Sequence, residues 1–85
     1  MDDLVAWLRR QVADDDRHWR VAWKWRQAHP DVVLEQLARC AALVEVLDAY
    51  AAEPDPAARA AWERAVRVLA TAYERRAGYH PSWRP

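Results

Sequence analysis

The sequence has very little of the residues on which most small catalytic and metal sites depend. It contains one glycine, Gly78, and therefore has no glycine-rich loop that could hold a phosphate group. Its one cysteine, Cys40, excludes an intramolecular disulfide framework and a cysteine-based metal cluster. One serine, one threonine and three scattered histidines match no catalytic or zinc-binding pattern. We therefore expect no enzymatic activity, no cofactor and no bound metal.

The sequence also lacks an excess of charge of one sign, and it lacks long apolar runs. Thirteen Lys and Arg balance thirteen Asp and Glu, so the whole chain has no net charge that attracts nucleic acid or an anionic membrane. No apolar run approaches the roughly 18–20 residues that a membrane-spanning helix needs. The first residues have no basic region followed by an apolar core, which predicts no secretory signal peptide. We expect a cytoplasmic protein.

Prolines and the one glycine divide the chain into three long segments and a tail. Apolar residues recur at helical spacing within each segment, which predicts helices over about residues 2–28, 30–52 and 56–77. The linkers between them are short, as is typical of antiparallel neighbours. The sequence therefore predicts an all-α, single-domain fold, a three-helix antiparallel bundle with an extended C-terminal aromatic tail (78–85) packed on it.

The first predicted helix has a clear apolar stripe but is long for so small a protein. The stripe consists of Leu4, Leu8, Val12, Trp19, Ala22 and Trp23. A helix of the predicted length would extend roughly 40 Å. The acidic run Asp14–Asp16 is the expected place for a break or kink.

The second predicted helix is apolar around an unusually wide arc, which indicates that it lies between the other two. Cys40 is on this arc, where a thiol behaves as a small apolar side chain. Asp15 and Asp48 each interrupt an apolar arc, and two interpretations are open. Either they lie at a boundary or pair with an Arg of a neighbouring helix, or they form a buried polar link or a contact with a partner. A buried, unpaired carboxylate is too costly to be accidental.

The segment Arg17–Arg26 alternates basic and aromatic residues, as nucleic-acid surfaces often do. On a helix, however, the tryptophans of the stripe point inward, whereas Arg17, Arg20 and Lys24 point away together. The favoured interpretation is a solvated basic face beside an aromatic core. Binding of nucleic acid through Arg17, Arg20 and Lys24 is the alternative.

Two further tryptophans define a second apolar direction on the first helix. Trp7 and Trp25 are eighteen residues apart, which is five whole turns, so they point the same way, with Val21 nearby. Either they pack beneath another helix or the tail, or they form a surface for a partner protein or for self-association. Tyr79 and Trp83 of the tail would extend that surface. These five residues are the candidate partner-binding residues.

Three stretches of the sequence carry a resemblance to a known family: MDDLVAWLRRQVADDDR, AHPDVVLEQLARCAALVEVLDAY and VRVLATAYERRAGYHPSWRP. They resemble a family of small proteins of unknown function from actinobacteria and their phages, whose members have an acidic N-terminal helix and a C-terminal tail with Tyr and Trp-Arg-Pro. The chain differs in its middle, where His29-Pro30-Asp31 stands instead of His-Asp-Pro, and at Arg76-Ala77, where His-Pro is usual. The resemblance implies an actinobacterial or phage source and a cytoplasmic location, and it implies no activity.

Together these patterns favour a small, non-enzymatic protein-binding or regulatory module. Its partner is either another protein or a second copy of the chain in a homodimer, and the resemblance adds a phage or prophage source. The alternative function is that of a nucleic-acid-associated accessory protein that uses the Arg17–Arg26 face.

Overall fold

The computed structural model describes residues 1–85, which form no strand and three α-helices: α1 (Asp2–Lys24), α2 (Pro30–Ala52) and α3 (Pro56–Ala70). α2 lies between the others and contacts both. Successive helices run in opposite directions. Arg9, early in α1, bonds to Asp48, late in α2, and Arg59, early in α3, lies over the ring of Tyr50. The predicted all-α, antiparallel three-helix bundle is confirmed.

α1 continues through the acidic run, so the break expected at Asp14–Asp16 does not occur. Each carboxylate of the run has a cationic partner: the first bonds to Arg17, the second to Arg76 and the third to Arg20. The pairs with Arg17 and Arg20 span one helical turn, a spacing that stabilises a helix by about 0.2–0.5 kcal/mol per pair. The negative charge of the acidic run is therefore neutralised by neighbouring arginines, and the run does not interrupt the helix.

α1 ends at Lys24, four residues before the predicted end. The Arg26 N–H donates to the Trp23 carbonyl at 3.2 Å, and the Gln27 N–H donates to the Ala22 carbonyl at 2.9 Å. These two bonds form a Schellman C-cap, whose left-handed residue is usually glycine. Here that residue is Arg26, with φ of 53°. The helix end was missed because no glycine marks it.

α2 has the predicted bounds, Pro30–Ala52. Pro30 occupies the first helical position, where its missing N–H costs nothing because that group has no partner within the helix. His29 precedes it as the N-cap, and its Nδ1 accepts a hydrogen bond from the Asp31 N–H at 3.1 Å. An imidazole therefore does the capping that Ser or Asp usually does.

α3 begins as predicted but ends early. Asp55 caps it through a hydrogen bond from the Ala58 N–H to Oδ2 at 2.9 Å, and Pro56 takes the first position. The α-helix ends at Ala70 and tightens into a 3-10 turn over Thr71–Tyr73, so the predicted helix to residue 77 is too long. The turn brings Arg76 to the carboxylate of Asp15 on α1, which a continued helix would not do.

The core lies where the three helices and the tail meet. Its buried residues are Leu4, Trp7, Leu8, Leu47, Tyr50, Val66, Ala70 and Trp83. Trp83 belongs to the tail, which therefore packs on its own bundle as predicted. Burial of a side chain of this size contributes about 2–3 kcal/mol, so the tail is part of the stabilising core.

α3 is much shorter than the two helices on which it packs. α1 and α2 have 23 residues each and form a hairpin, whereas α3 has 15 residues, which makes it roughly 12 Å shorter. The chain after α3 reaches the middle of the hairpin, where Arg76 and Tyr73 lie in a cleft with Asp15 and Cys40. Beyond that point the hairpin extends to the loop 25–29, which we call the loop end.

Candidate protein-interaction surface

Three of the five candidate partner-binding residues are packed against one another. Trp7 lies with its ring centroid 5.7 Å from Tyr79 and 5.4 Å from Trp83, and the two tail rings are 5.6 Å apart. Trp7 and Trp83 are buried, and Tyr79 is partly buried. The rings meet edge to face or tilted, which is the favoured geometry for aromatic pairs. The interpretation that Trp7 packs beneath the tail is therefore the correct one, and these residues do not form an open surface.

Close contact with the backbone fixes the tail over Trp7. The indole Nε1 of Trp7 donates to the Ala77 carbonyl at 3.2 Å. Gly78, the next residue, has φ of 91° and passes so close that a Cβ there would lie 2.6 Å from the same nitrogen. The one glycine of the chain is thus used where a left-handed backbone must cross a tryptophan.

The end of the tail is also held. His80 caps a short 3-10 turn (Pro81–Trp83), with its Nδ1 accepting a hydrogen bond from the Ser82 N–H at 3.2 Å. Arg67 on α3 donates to the Ser82 carbonyl at 3.1 Å and also pairs with Glu63. These contacts orient Trp83 into the core, so the tail has a structural role that accounts for its aromatic residues.

The other two candidates, Val21 and Trp25, are exposed at the loop end of the hairpin. Trp25 is 65% exposed and Val21 is 49% exposed. Trp25 lies on the same side of α1 as Trp7, because eighteen residues complete five turns. The chain after α3 bonds to α1 at Asp15 through Arg76, and from there the tail passes back over Trp7, away from Trp25. Trp25 is therefore exposed because the covering layer stops short of it.

α2 also has a covered residue and an exposed residue five turns apart on one side. Tyr50 is buried beneath α3, where the guanidinium of Arg59 lies 4.6 Å from its ring centroid. Val32 precedes Tyr50 by eighteen residues, again five turns, and is exposed. Sequence analysis did not single out Val32, although its spacing from Tyr50 was a usable signal. We call Val21, Trp25 and Val32 the hairpin-end surface.

The opposite side of the hairpin has no third helix on it, and its apolar residues lie among three charged ones, Arg9, Asp16 and Arg17. A cleft of about 540 Å³ between α1 and α2 is lined there by residues of these two helices alone, including Ala13, Ala41 and Val44. Helical spacing continues this side to Trp23, seven residues after Asp16 of the same cleft, and to Leu34, seven before Ala41. We call Ala13, Trp23, Leu34, Ala41 and Val44 the open face.

Trp23 was expected to join the core stripe, and this expectation is wrong. Its side chain is 51% exposed, and Leu34 on the same side of the hairpin is 55% exposed. Ala22 takes the buried position at this level of α1. An apolar stripe on a helix marks a core only where another element covers it, and α3 does not reach this side of the hairpin.

The candidate nucleic-acid-binding residues are exposed and are largely engaged with carboxylates. Arg17 bonds to Asp14, and the Arg20 Nε donates to Asp16 at 2.6 Å. The bond to Asp16 raises the pKa of Arg20 above its ordinary value. Lys24 has no carboxylate partner, and its ammonium lies 5.5 Å from the ring centroid of Trp25. The positive electrostatic potential of this basic face is therefore reduced by the neighbouring carboxylates.

Asp15 and Asp48 are both paired with an arginine from another part of the bundle. Asp15 accepts two hydrogen bonds from Arg76, at 2.9 and 3.0 Å, and the bond to Asp15 raises the pKa of Arg76. Asp48 accepts a hydrogen bond from Arg9 at 2.9 Å. Of the two interpretations left open, pairing with an arginine is confirmed. Both carboxylates tie elements of the fold together.

Cys40 lies at the α1–α2 contact, between the cleft that holds Arg76 and the cleft on the open face. Burial raises the pKa of its thiol, and the charge of Asp15 raises it further. The protonated form is the unreactive one.

No group of three or more His, Cys, Asp or Glu side chains is placed so that it could hold a metal ion.

The chain matches no protein-family model, no curated protein and no solved structure. The resemblance to small actinobacterial and phage proteins therefore stays a prediction. None of the three helices is both long enough and apolar enough to span a bilayer.

Proposed function

We propose that the chain is a non-enzymatic protein-binding module and that the hairpin-end surface is where its partner binds. The observation that carries this proposal is the exposure of Trp25 on the one side of the hairpin that is covered elsewhere by α3 and the tail. Val21, one turn before Trp25, and Val32, near the start of α2, are the other exposed apolar residues of this surface. A partner on this surface would continue the layer that α3 begins.

The energetics of tryptophan support this choice of surface. A solvent-exposed indole leaves a large apolar area in water, and burying it gains about 25 cal/mol per Å². Tryptophan is also among the residues that most often dominate binding energy at protein interfaces. Lys24 lies over the ring of Trp25 and leaves most of it open, so the indole is accessible to a partner.

The test is affinity capture from a lysate of the source organism, with the lysate divided into nuclease-treated and untreated halves. We expect a protein that is retained in both halves by the wild-type chain and lost with Trp25→Ala. Val68→Ala is the matched control, because Val68 is exposed on α3, away from the hairpin-end surface. Equal retention by both variants would contradict the proposal.

The second candidate function is association with nucleic acid through Arg17, Arg20 and Lys24. The observation that favours it is the exposure of all three on one side of α1. Binding of this kind weakens steeply as salt concentration rises, because counterions are released from phosphates. Capture that disappears with nuclease, together with a steep salt dependence of binding to duplex DNA, would favour this candidate over the first.

A further inference from the structure

We infer that the open face binds a second copy of the chain, with a two-fold axis parallel to the helices so that each α1 packs against α2 of its partner. The result is a four-helix bundle at the centre of a homodimer. This inference concerns the side of the hairpin opposite α3 and does not depend on the hairpin-end surface.

The open face has the apolar pattern of a helix-packing surface. Trp23, Leu34 and Val44 are its large exposed side chains, and the small residues Ala13 and Ala41 lie beside them. Small residues allow a close approach of backbones, and large ones fill the space beside them. Two antiparallel helices that present such a face are completed by two more in a four-helix bundle.

The two edges of the open face carry opposite charge. Along α1 the edge carries three basic residues, Arg17, Arg20 and Lys24, and one acidic residue, Asp16, which pairs with Arg20. Along α2 the edge is acidic and consists of Asp31, Glu35 and Glu45, with Asp31 and Glu45 lying on the stripe next to Leu34 and Ala41. The cation nearest to this acidic edge, Arg39, lines the other cleft, on the α3 side.

The levels of these charges along the hairpin also match. Arg9 and Asp48 bond across the hairpin and set the register of α1 against α2. Counting from that pair in opposite directions puts Arg20 within about one turn of Glu35. A two-fold axis parallel to the helices keeps each residue at its own level, so Arg20 of one copy faces Glu35 of the other.

The charge pattern selects this arrangement over the alternative two-fold. An axis across the helices would put α1 against α1 and α2 against α2, so that like charges would meet at both edges. Like-charge contact across an interface opposes association. The intrachain pairs of Arg20 with Asp16 and of Glu35 with Arg39 are exposed. Exposed pairs of this kind contribute little to stability, so they compete only weakly with ion pairs to a second copy.

The first test is sedimentation equilibrium of the purified chain over concentrations up to about 1 mM. We expect a monomer–dimer equilibrium that Leu34→Asp shifts to monomer and that Val68→Asp, on the exposed side of α3, leaves unchanged. Circular dichroism of each variant verifies that it is folded. A wild-type chain that stays monomeric throughout, or a Leu34→Asp variant that still forms dimers, would overturn the inference.

Charge reversal tests the orientation and separates contacts between copies from contacts within one chain. We expect Arg20→Glu and Glu35→Arg each to weaken dimerisation by roughly tenfold, since each puts like charges opposite one another twice per dimer. An equimolar mixture of the two variants should regain the wild-type association, because both facing pairs are then opposite in charge. A mixture that associates no better than either variant alone would contradict the proposed orientation.

Discussion

Trp7 and Trp25 lie on the same side of α1, five turns apart, and their environments are opposite. Trp7 is 5% exposed beneath the tail, whereas Trp25 is 65% exposed beyond it. Helical spacing puts both residues on one side, and the length of the covering layer decides which of them is buried. The pair therefore separates residues that hold the fold from residues that are free to bind.

This difference predicts opposite effects of truncating the two rings. Trp7→Ala should lower the free energy of unfolding by about 3–5 kcal/mol, because it removes the ring on which Tyr79 and Trp83 pack. Trp25→Ala should change it by less than about 0.5 kcal/mol. Urea unfolding monitored by circular dichroism measures both. A large loss of stability in Trp25→Ala would show that Trp25 belongs to the core.

Gly78→Ala should release the tail. Alanine is strained at φ of 91°, and its Cβ would meet the indole nitrogen of Trp7, so we expect a loss of about 2 kcal/mol or more. Limited proteolysis should then cleave the chain after α3, where the wild-type tail resists. Arg75→Ala is the control, since Arg75 is exposed nearby. Resistance of Gly78→Ala equal to that of the control would contradict the close contact with Trp7.

Arg26→Gly should stabilise the protein. Arg26 has φ of 53° in the Schellman cap that ends α1, and glycine adopts this conformation without strain, which is worth about 0.5–1 kcal/mol. The thermal midpoint should rise by a few degrees. Gln27→Gly next to it should not raise the midpoint, because a glycine there adds backbone entropy to the unfolded state without relieving strain.

Stability should fall in alkaline solution in part because of Cys40. Burial raises the pKa of its thiol above the ordinary 9.0, so the unfolded chain loses this proton before the folded chain does. The free energy of unfolding therefore keeps its full value below the thiol pKa of the unfolded chain. It decreases as the pH rises from there through the higher thiol pKa of the folded chain. Tyr73, whose pKa is also raised by burial, adds to the decrease. Cys40→Ala should show a smaller decrease between about pH 7 and about pH 10. An equal decrease in wild type and variant would show that the thiol does not contribute.

The helices were predictable where a local signal marks them. Pro30 and Asp55-Pro56 start α2 and α3 where the sequence placed them, because fixed φ and a capping side chain act within one turn. The ends of α1 and α3 were not predictable in the same way. At the end of α1, Arg26 forms a cap in which glycine is usual. α3 ends at Ala70, where a turn follows that allows the long-range pair of Arg76 with Asp15 to form.

The candidate site was predictable in direction but not in exposure. Helical spacing alone puts Trp7 and Trp25 on one side of α1. Spacing could not show that the tail covers Trp7 and stops before Trp25, since that depends on a contact across seventy residues between Trp7 and Ala77. For the same reason Trp23 was assigned to the core, although no third helix covers the open face.

The most direct test of the account is the affinity of the purified partner, obtained by the nuclease-controlled capture, for two variants. Titration calorimetry with Trp25→Ala should give a dissociation constant raised roughly tenfold or more, as expected for a central aromatic anchor. Val68→Ala should bind as the wild type does. Unchanged binding by Trp25→Ala would contradict the claim that the uncovered end of the α1–α2 hairpin is the functional surface.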